Sequence, residues 1–190
     1  MAMQTFHIKN MVCDRCKAAV RAAFEKEGIK TSAVELGLVQ TEDAIDDKKI
    51  EAVTAELKSL GFELLYDSRQ QTAERIKSLV IEMLRYGSGK DMTVNVSAFL
   101  ADRMHSDYSA LSKLFSAETG MTIEKYVIAQ KVELAKELLS YGELSLTEIA
   151  VRLNYSSVAY LSAQFKTVTG MTPSQYKNQE RGNRLELDKI

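Results

Sequence analysis

The chain has 190 residues, 45% of them apolar and 27% charged, the balance of an ordinary soluble globular protein. Its 25 basic and 26 acidic side chains leave a net charge of −1, which excludes a polybasic tail or an overall basic coat but not a local basic face. No stretch approaches the ~20 apolar residues of a membrane span, and Met1 to Asn10 lacks the basic start and apolar core of a secretory signal. A cytoplasmic chain with no membrane partner is therefore expected. One proline, Pro173, and no tryptophan, with many Leu, Ala, Lys and Glu residues, favour helix.

Up to Ser68 short strand-like and helical runs alternate. Gln4 to Lys9 alternates polar and apolar, with Phe6 and Ile8 on one face, and reads as a strand. Cys13 to Glu27 carries a helical stripe of Ala18, Val20, Ala23 and Phe24 that Gly28 can end. Thr31–Glu35 and Leu38–Ala44 read as strands around Gly37. Asp46 or Asp47 can cap a helix through Leu60, with Ile50, Val53, Leu57 and Leu60 on one face. Gly61 stops it, and Phe62–Tyr66 reads as a last strand. The expected order is β-α-β-β-α-β, a ferredoxin-like arrangement.

From Gln70 onward the pattern is helical. Thr72–Tyr86 is followed by a break at Gly87–Lys90, then by helices over Val94–Met104, Asp107–Glu118, Thr122–Tyr141, Leu146–Leu153, Ser157–Thr169 and Pro173–Asn178. Ser145 and Glu148 fit a capping box. The expected fold class is α+β, with a ferredoxin-like domain over residues 1–68 and an all-α domain over residues 69–190. Charge divides evenly: residues 1–71 carry 10 basic and 12 acidic groups, and residues 72–190 carry 15 and 14.

The second part repeats itself. Leu111, Phe115, Thr119, Gly120, Met121, Thr122 and Tyr126 recur 50 residues later as Leu161, Phe165, Thr169, Gly170, Met171, Thr172 and Tyr176. Upstream, Leu100–Met104 matches Ile149–Leu153 at an offset of 49. Two copies are too few for a solenoid. Each is a short helix, a tight polar turn and a second helix, the grammar of a helix-turn-helix.

On these residues, and most specifically on Phe165–Tyr176 and Leu146–Ser157, positions 75–178 resemble the DNA-binding domain of AraC/XylS-type regulators. The resemblance implies two helix-turn-helix units joined by the helix Thr122–Tyr141, with double-stranded DNA as partner and successive major-groove faces, about 34 Å apart, as the surface read. Side chains facing outward from the two recognition helices are the candidate DNA contacts: Ser109, Ser112 and Lys113 in the first copy, and Ala159, Tyr160, Ser162, Ala163 and Lys166 in the second. Leu111, Leu114, Phe115, Leu161 and Phe165 point inward. The family often has arginine where this chain has Lys113 and Ala163. Lysine still bonds guanine, whereas Ala163 offers an apolar contact only, for instance to a thymine methyl. A solvated helix surface is the plain alternative for each serine, and a helical bundle without DNA binding is the plain alternative for the whole.

Both cysteines lie in Asn10-Met11-Val12-Cys13-Asp14-Arg15-Cys16, after a strand and at a helix start. Three chemistries fit. Thiolates at i and i+3 converge on the first helical turn, where the helix terminus, Arg15 and Lys17 lower thiol pKa values. Two soft sulfurs without a nearby histidine suit Cu(I) or another soft ion, while a four-ligand zinc site lacks two ligands. Thiol–disulfide exchange is the second chemistry, although no proline precedes residue 173 to sit beside such a disulfide. The third has both residues packing as small hydrophobes. The motif, the element order and Gly61-Phe62 make residues 3–67 similar to heavy-metal-associated domains of copper chaperones. That resemblance implies metal ligation by Cys13 and Cys16, with Met11 beneath the loop and Phe62 shielding the site. Asn10 stands where that family has glycine, and Val12 where it has threonine. His7 reads as facing the outer side of the sheet and His105 as a turn residue.

The combined expectation is a non-enzymatic transcription regulator, with a metal site at Cys13 and Cys16 modulating DNA binding and a homodimer as a candidate partner. The competing reading is a metal carrier or thiol-redox protein whose helical half is a protein-interaction module. No phosphate-cradling glycine loop or histidine-centred catalytic set is present in the sequence.

Overall fold

The computed structural model describes residues 3–87 and 95–178. The expected break at Gly87–Lys90 and helix start at Val94 fall, apart from Gly87, outside the described residues. The chain is mixed α+β and rich in helix, with a small antiparallel sheet near its beginning.

The first elements are β1 (Gln4–Lys9), α1 (Asp14–Lys26), β2 (Thr31–Glu35), β3 (Leu38–Thr41), α2 (Asp47–Ser59) and β4 (Glu63–Leu65). The strands lie in the order β2-β3-β1-β4, with every neighbouring pair antiparallel. Alternation in β1 puts Phe6 and Ile8 on one face, where they pack with Val39, Leu64, Val20, Phe24, Val53 and Leu57. Phe6 meets Phe24 edge-on at 5.8 Å. The Asp46 side chain caps α2 by accepting from the Lys49 N–H at 2.9 Å.

The next helix, α3 (Ser68–Tyr86), starts four residues earlier than its apolar periodicity suggests. The reason is Asp67, whose carboxylate accepts from the Arg69 and Gln70 N–H groups. The added turn matters, because α3 binds to the sheet region. Gln71 donates to the Leu65 carbonyl at 2.8 Å. Arg75 donates to the Leu36 carbonyl and to Glu35, each at 3.2 Å. Ile81 joins the same core as Met11, Leu36 and Phe62. His7 is half-buried, with Arg75 nearby.

The remaining helices are α4 (Val96–Met104), α5 (Tyr108–Thr119), α6 (Ile123–Tyr141), α7 (Leu146–Arg152), α8 (Val158–Thr169) and α9 (Pro173–Asn178). Cα proximity divides the chain into two compact units. The first runs to Glu82 and takes in Ser109–Gly120. The second comprises Met83–Tyr108 and the described residues from Met121 onward. In the second unit α6 carries Val132, Ala135, Leu138 and Leu139 against Ile149 of α7, Leu153 just beyond it, Leu161 and Phe165 of α8, and Tyr176 of α9. Phe165 and Tyr176 meet edge-on at 5.5 Å. The capping box at α7 is present, with Ser145 and Glu148 bonding each other's backbone. Among the described residues no helix is long and apolar enough to cross a membrane.

Candidate nucleic-acid interface and cysteine site

Cys13 is the N-cap of α1, in extended conformation, and its side chain makes no capping bond. That leaves its sulfur turned toward Cys16, and the two Sγ atoms are 3.4 Å apart. Both residues are partly exposed. One ion can touch both sulfurs, so the pair fits a soft, low-coordinate metal. Among the described residues there is no cluster of three or more His, Cys, Asp or Glu side chains that would hold a metal of higher coordination.

Met11 and Phe62 are buried in one core, and Cys16 packs against it. Asn10 adopts a left-handed φ of 71°. This is the region glycine prefers and asparagine tolerates better than most residues. Its side chain also donates to the Gly61 carbonyl at 2.9 Å, tying the cysteine loop to the turn before β4.

Contrary to the lowering expected from the helix terminus, Arg15 and Lys17, Cys16 is held above the ordinary thiol range. Burial outweighs the backbone hydrogen bond at Val12 that pulls the other way. Lys17 is moreover drawn to Asp14, with Nζ 2.7 Å from the carboxylate.

The two repeats build matching local structures. Leu111, Phe115, Leu161 and Phe165 are buried. Thr119 and Thr169 each donate to the carbonyl four residues back at 2.7 Å. Gly120 and Gly170 turn the chain at φ 74° and 79°. Between the helices of each copy stands a non-glycine residue in the left-handed region, His105 (φ 49°) and Asn154 (φ 52°). These are equivalent at the 49-residue offset, so His105 terminates α4 as Asn154 terminates the α7 turn. The repeat itself was the signal for this pairing.

On α5, Ser109 and Lys113 are exposed and Ser112 is half-buried. On α8, Ala159, Tyr160, Ala163 and Lys166 are exposed and Ser162 is half-buried. Leu114 is only half-buried. Sequence reasoning passed over Gln164, whose Nε2 donates to the Tyr160 hydroxyl at 2.8 Å and fixes the orientation of that ring. Tyr160 also meets Tyr155 edge-on at 5.9 Å.

Residues 100–179 match the helix-turn-helix domain family. The chain is 35% identical over 72 residues to the HTH-type transcriptional activator RhaR of Enterobacter sp., covering 38% of this chain and 26% of that protein. It is 26% identical over 108 residues to the uncharacterized HTH-type transcriptional regulator YtdP of Bacillus subtilis, covering 57% of this chain and 14% of that one. The chain thus spans about a quarter or less of the length of these relatives, which are named as regulators rather than enzymes. Its helical part shares the fold of the C-terminal domain of AraT, a response regulator from Geobacillus stearothermophilus. That match has a TM-score of 0.50 and 22% identity, and covers 63% of this chain and 97% of that one. Residues 100–179 thus match a helix-turn-helix domain, and proteins similar to this chain include HTH-type transcriptional regulators.

Proposed function

We propose that the chain is a transcription regulator that binds double-stranded DNA through α4–α5 and α7–α8, and that a soft metal ion such as Cu(I), held by Cys13 and Cys16, modulates that binding. The DNA half of this reading rests on the repeated helix pair within the matched region. Ser109, Ser112 and Lys113, and Ala159, Tyr160, Ser162, Ala163 and Lys166, are the proposed contacts. Few of them are cationic, so backbone attraction is modest and apolar and hydroxyl contacts set the readout.

The metal half rests on the 3.4 Å separation of the two sulfurs and on a Cys13 side chain that makes no capping bond. A bound ion supplies a charge-carrying crosslink between the first turn of α1 and the loop before it. The residues beneath already form one packed set, because Met11, Phe62, Leu36 and Ile81 of α3 share a core. Fixing the loop biases that core, and DNA affinity changes by the coupling free energy.

The test combines footprinting on a genomic fragment library with a Cu(I) titration of the reduced protein and of the Cys13→Ser/Cys16→Ser double variant, mass being followed by light scattering. Cysteine-dependent metal binding that shifts DNA affinity at least five-fold is expected, and a mass change assigns the switch to dimerisation. Unchanged DNA affinity with and without metal removes the sensor half. Failure to protect any fragment removes the regulator half and favours a metal carrier with a protein-interaction module.

A further inference from the structure

Within the second unit a cavity of about 440 Å³ opens beside α6 and α8, lined among others by Tyr108, Glu124, Lys131, Tyr155, Tyr160 and Gln164. Two of its polar groups lack complements. The Tyr155 hydroxyl is buried and has no hydrogen-bond partner among the described residues. The Lys131 ammonium stands 5.0 Å over the Tyr155 ring. Burial lowers its pKa, with no carboxylate acting to restore it. A ring face offsets the charge of a desolvated cation only in part, and a buried hydroxyl without a partner is uncommon in native folds. Glu124, the acidic residue of this group, is engaged elsewhere, since it accepts from the Tyr108 hydroxyl. Tyr160 and Gln164 bond each other and form one wall.

We propose that this cavity is an oxyanion seat, in which the Lys131 ammonium and the Tyr155 hydroxyl together receive one phosphate or carboxylate group. Both are donors at neutral pH, and an anion placed there supplies the acceptor each lacks. Two sources present that chemistry. One is a backbone phosphate of the duplex, which would make Lys131 a positioning contact for α8; this source rests on the DNA-binding reading above. The other is the carboxylate of a small free acid with an apolar body, for which the tyrosine rings supply the matching wall.

The experiment uses the full chain and two arms. In the first, affinity for a mixed-sequence duplex is measured from about 50 to 200 mM salt. Loss of one phosphate contact in Lys131→Met is expected to reduce the slope of log affinity on log salt by about 0.9, with Lys131→Arg retaining it. In the second arm, inorganic phosphate and benzoate are titrated into DNA-free protein, and backbone amide shifts near Tyr155 and Gln164 are followed by NMR. Saturable shifts that weaken ten-fold or more in Lys131→Met, with an unchanged salt slope, assign the seat to a free acid. Tyr155→Phe, which removes only the hydroxyl, serves in both arms if Lys131→Met melts early. If the wild type binds no duplex, the DNA reading fails while the second arm still decides the seat. A common salt slope, together with no Lys131- or Tyr155-dependent anion binding, overturns the proposal.

Discussion

Ser78 of α3 stands against Gly37 so closely that a β-carbon on the glycine would lie 2.6 Å from its Oγ. Gly37 turns the β2–β3 hairpin at φ 75°, and its carbonyl accepts from the Ile8 N–H at 3.0 Å. Helix and hairpin therefore meet at a point where neither has room to spare. Gly37→Ala is expected to lose about 2 kcal/mol or more, through left-handed strain plus the clash. In a urea-melt double-mutant cycle, Ser78→Ala should recover the clash part and leave the strain. Strict additivity of the two substitutions would show that the contact carries no energy.

Asn10 offers a cleaner dissection of backbone and side chain. Asn10→Gly keeps the left-handed conformation and loses only the bond to Gly61. Asn10→Ala loses both. The alanine variant should be the less stable by about 1 kcal/mol in chemical denaturation. Equal stabilities would mean that the loop relaxes out of its present conformation.

His7 sets an acid limit on the first unit. Burial, and secondarily the Arg75 charge, hold its pKa below 6.5. The unfolded chain therefore takes up the proton first. Stability contributed by neutral His7 is present above about pH 6.5 and is lost as pH falls from there through the lower folded-state value. His7→Gln should flatten the dependence of the denaturation midpoint over that window. A wild-type curve already flat there would contradict the assignment.

The capping box at α7 predicts a local effect on stability. Ser145→Ala is expected to cost about 1 kcal/mol in thermal or chemical melts. Glu148 is held below the ordinary carboxylate range by its bonds to Ser145. Its help is thus present above about pH 4.5 and disappears as pH falls through the depressed value. Glu148→Gln should remove this acid dependence while keeping a hydrogen-bonding side chain.

Much of the architecture was legible because local chemistry and tertiary structure agree. Phe6 and Ile8 alternate, Ser145 and Glu148 cap, and the repeat brings Leu111 and Phe115 into register with Leu161 and Phe165. The cysteine pair was legible for the same reason, since an N-cap residue and the third residue of the helix it opens come together on the first turn. What escaped was carried by long polar side chains. Gln71 and Arg75 bind the sheet region through carbonyls, which leaves no apolar stripe to read. On α6, Gln130, Glu133 and Lys136 are buried among apolar neighbours, although their types predict a solvated face. Lys131 on the same helix is half-buried, and its cavity has no counterpart in hydrophobic periodicity. The raised pKa of Cys16 is not legible in the motif, because desolvation depends on neighbours that spacing alone does not reveal.

The grip of α3 on the sheet also bears on how such a chain can be taken apart. A fragment ending at Ser68 would keep every strand yet strip Gln71, Arg75, Ser78 and Ile81 from the surface they cover. The newly bared Leu36 and Leu65 would make the excised piece sticky. Cut-and-paste exchange of the cysteine-bearing segment between proteins should therefore succeed only when the junction falls beyond Ile81, so that the helix travels with its sheet.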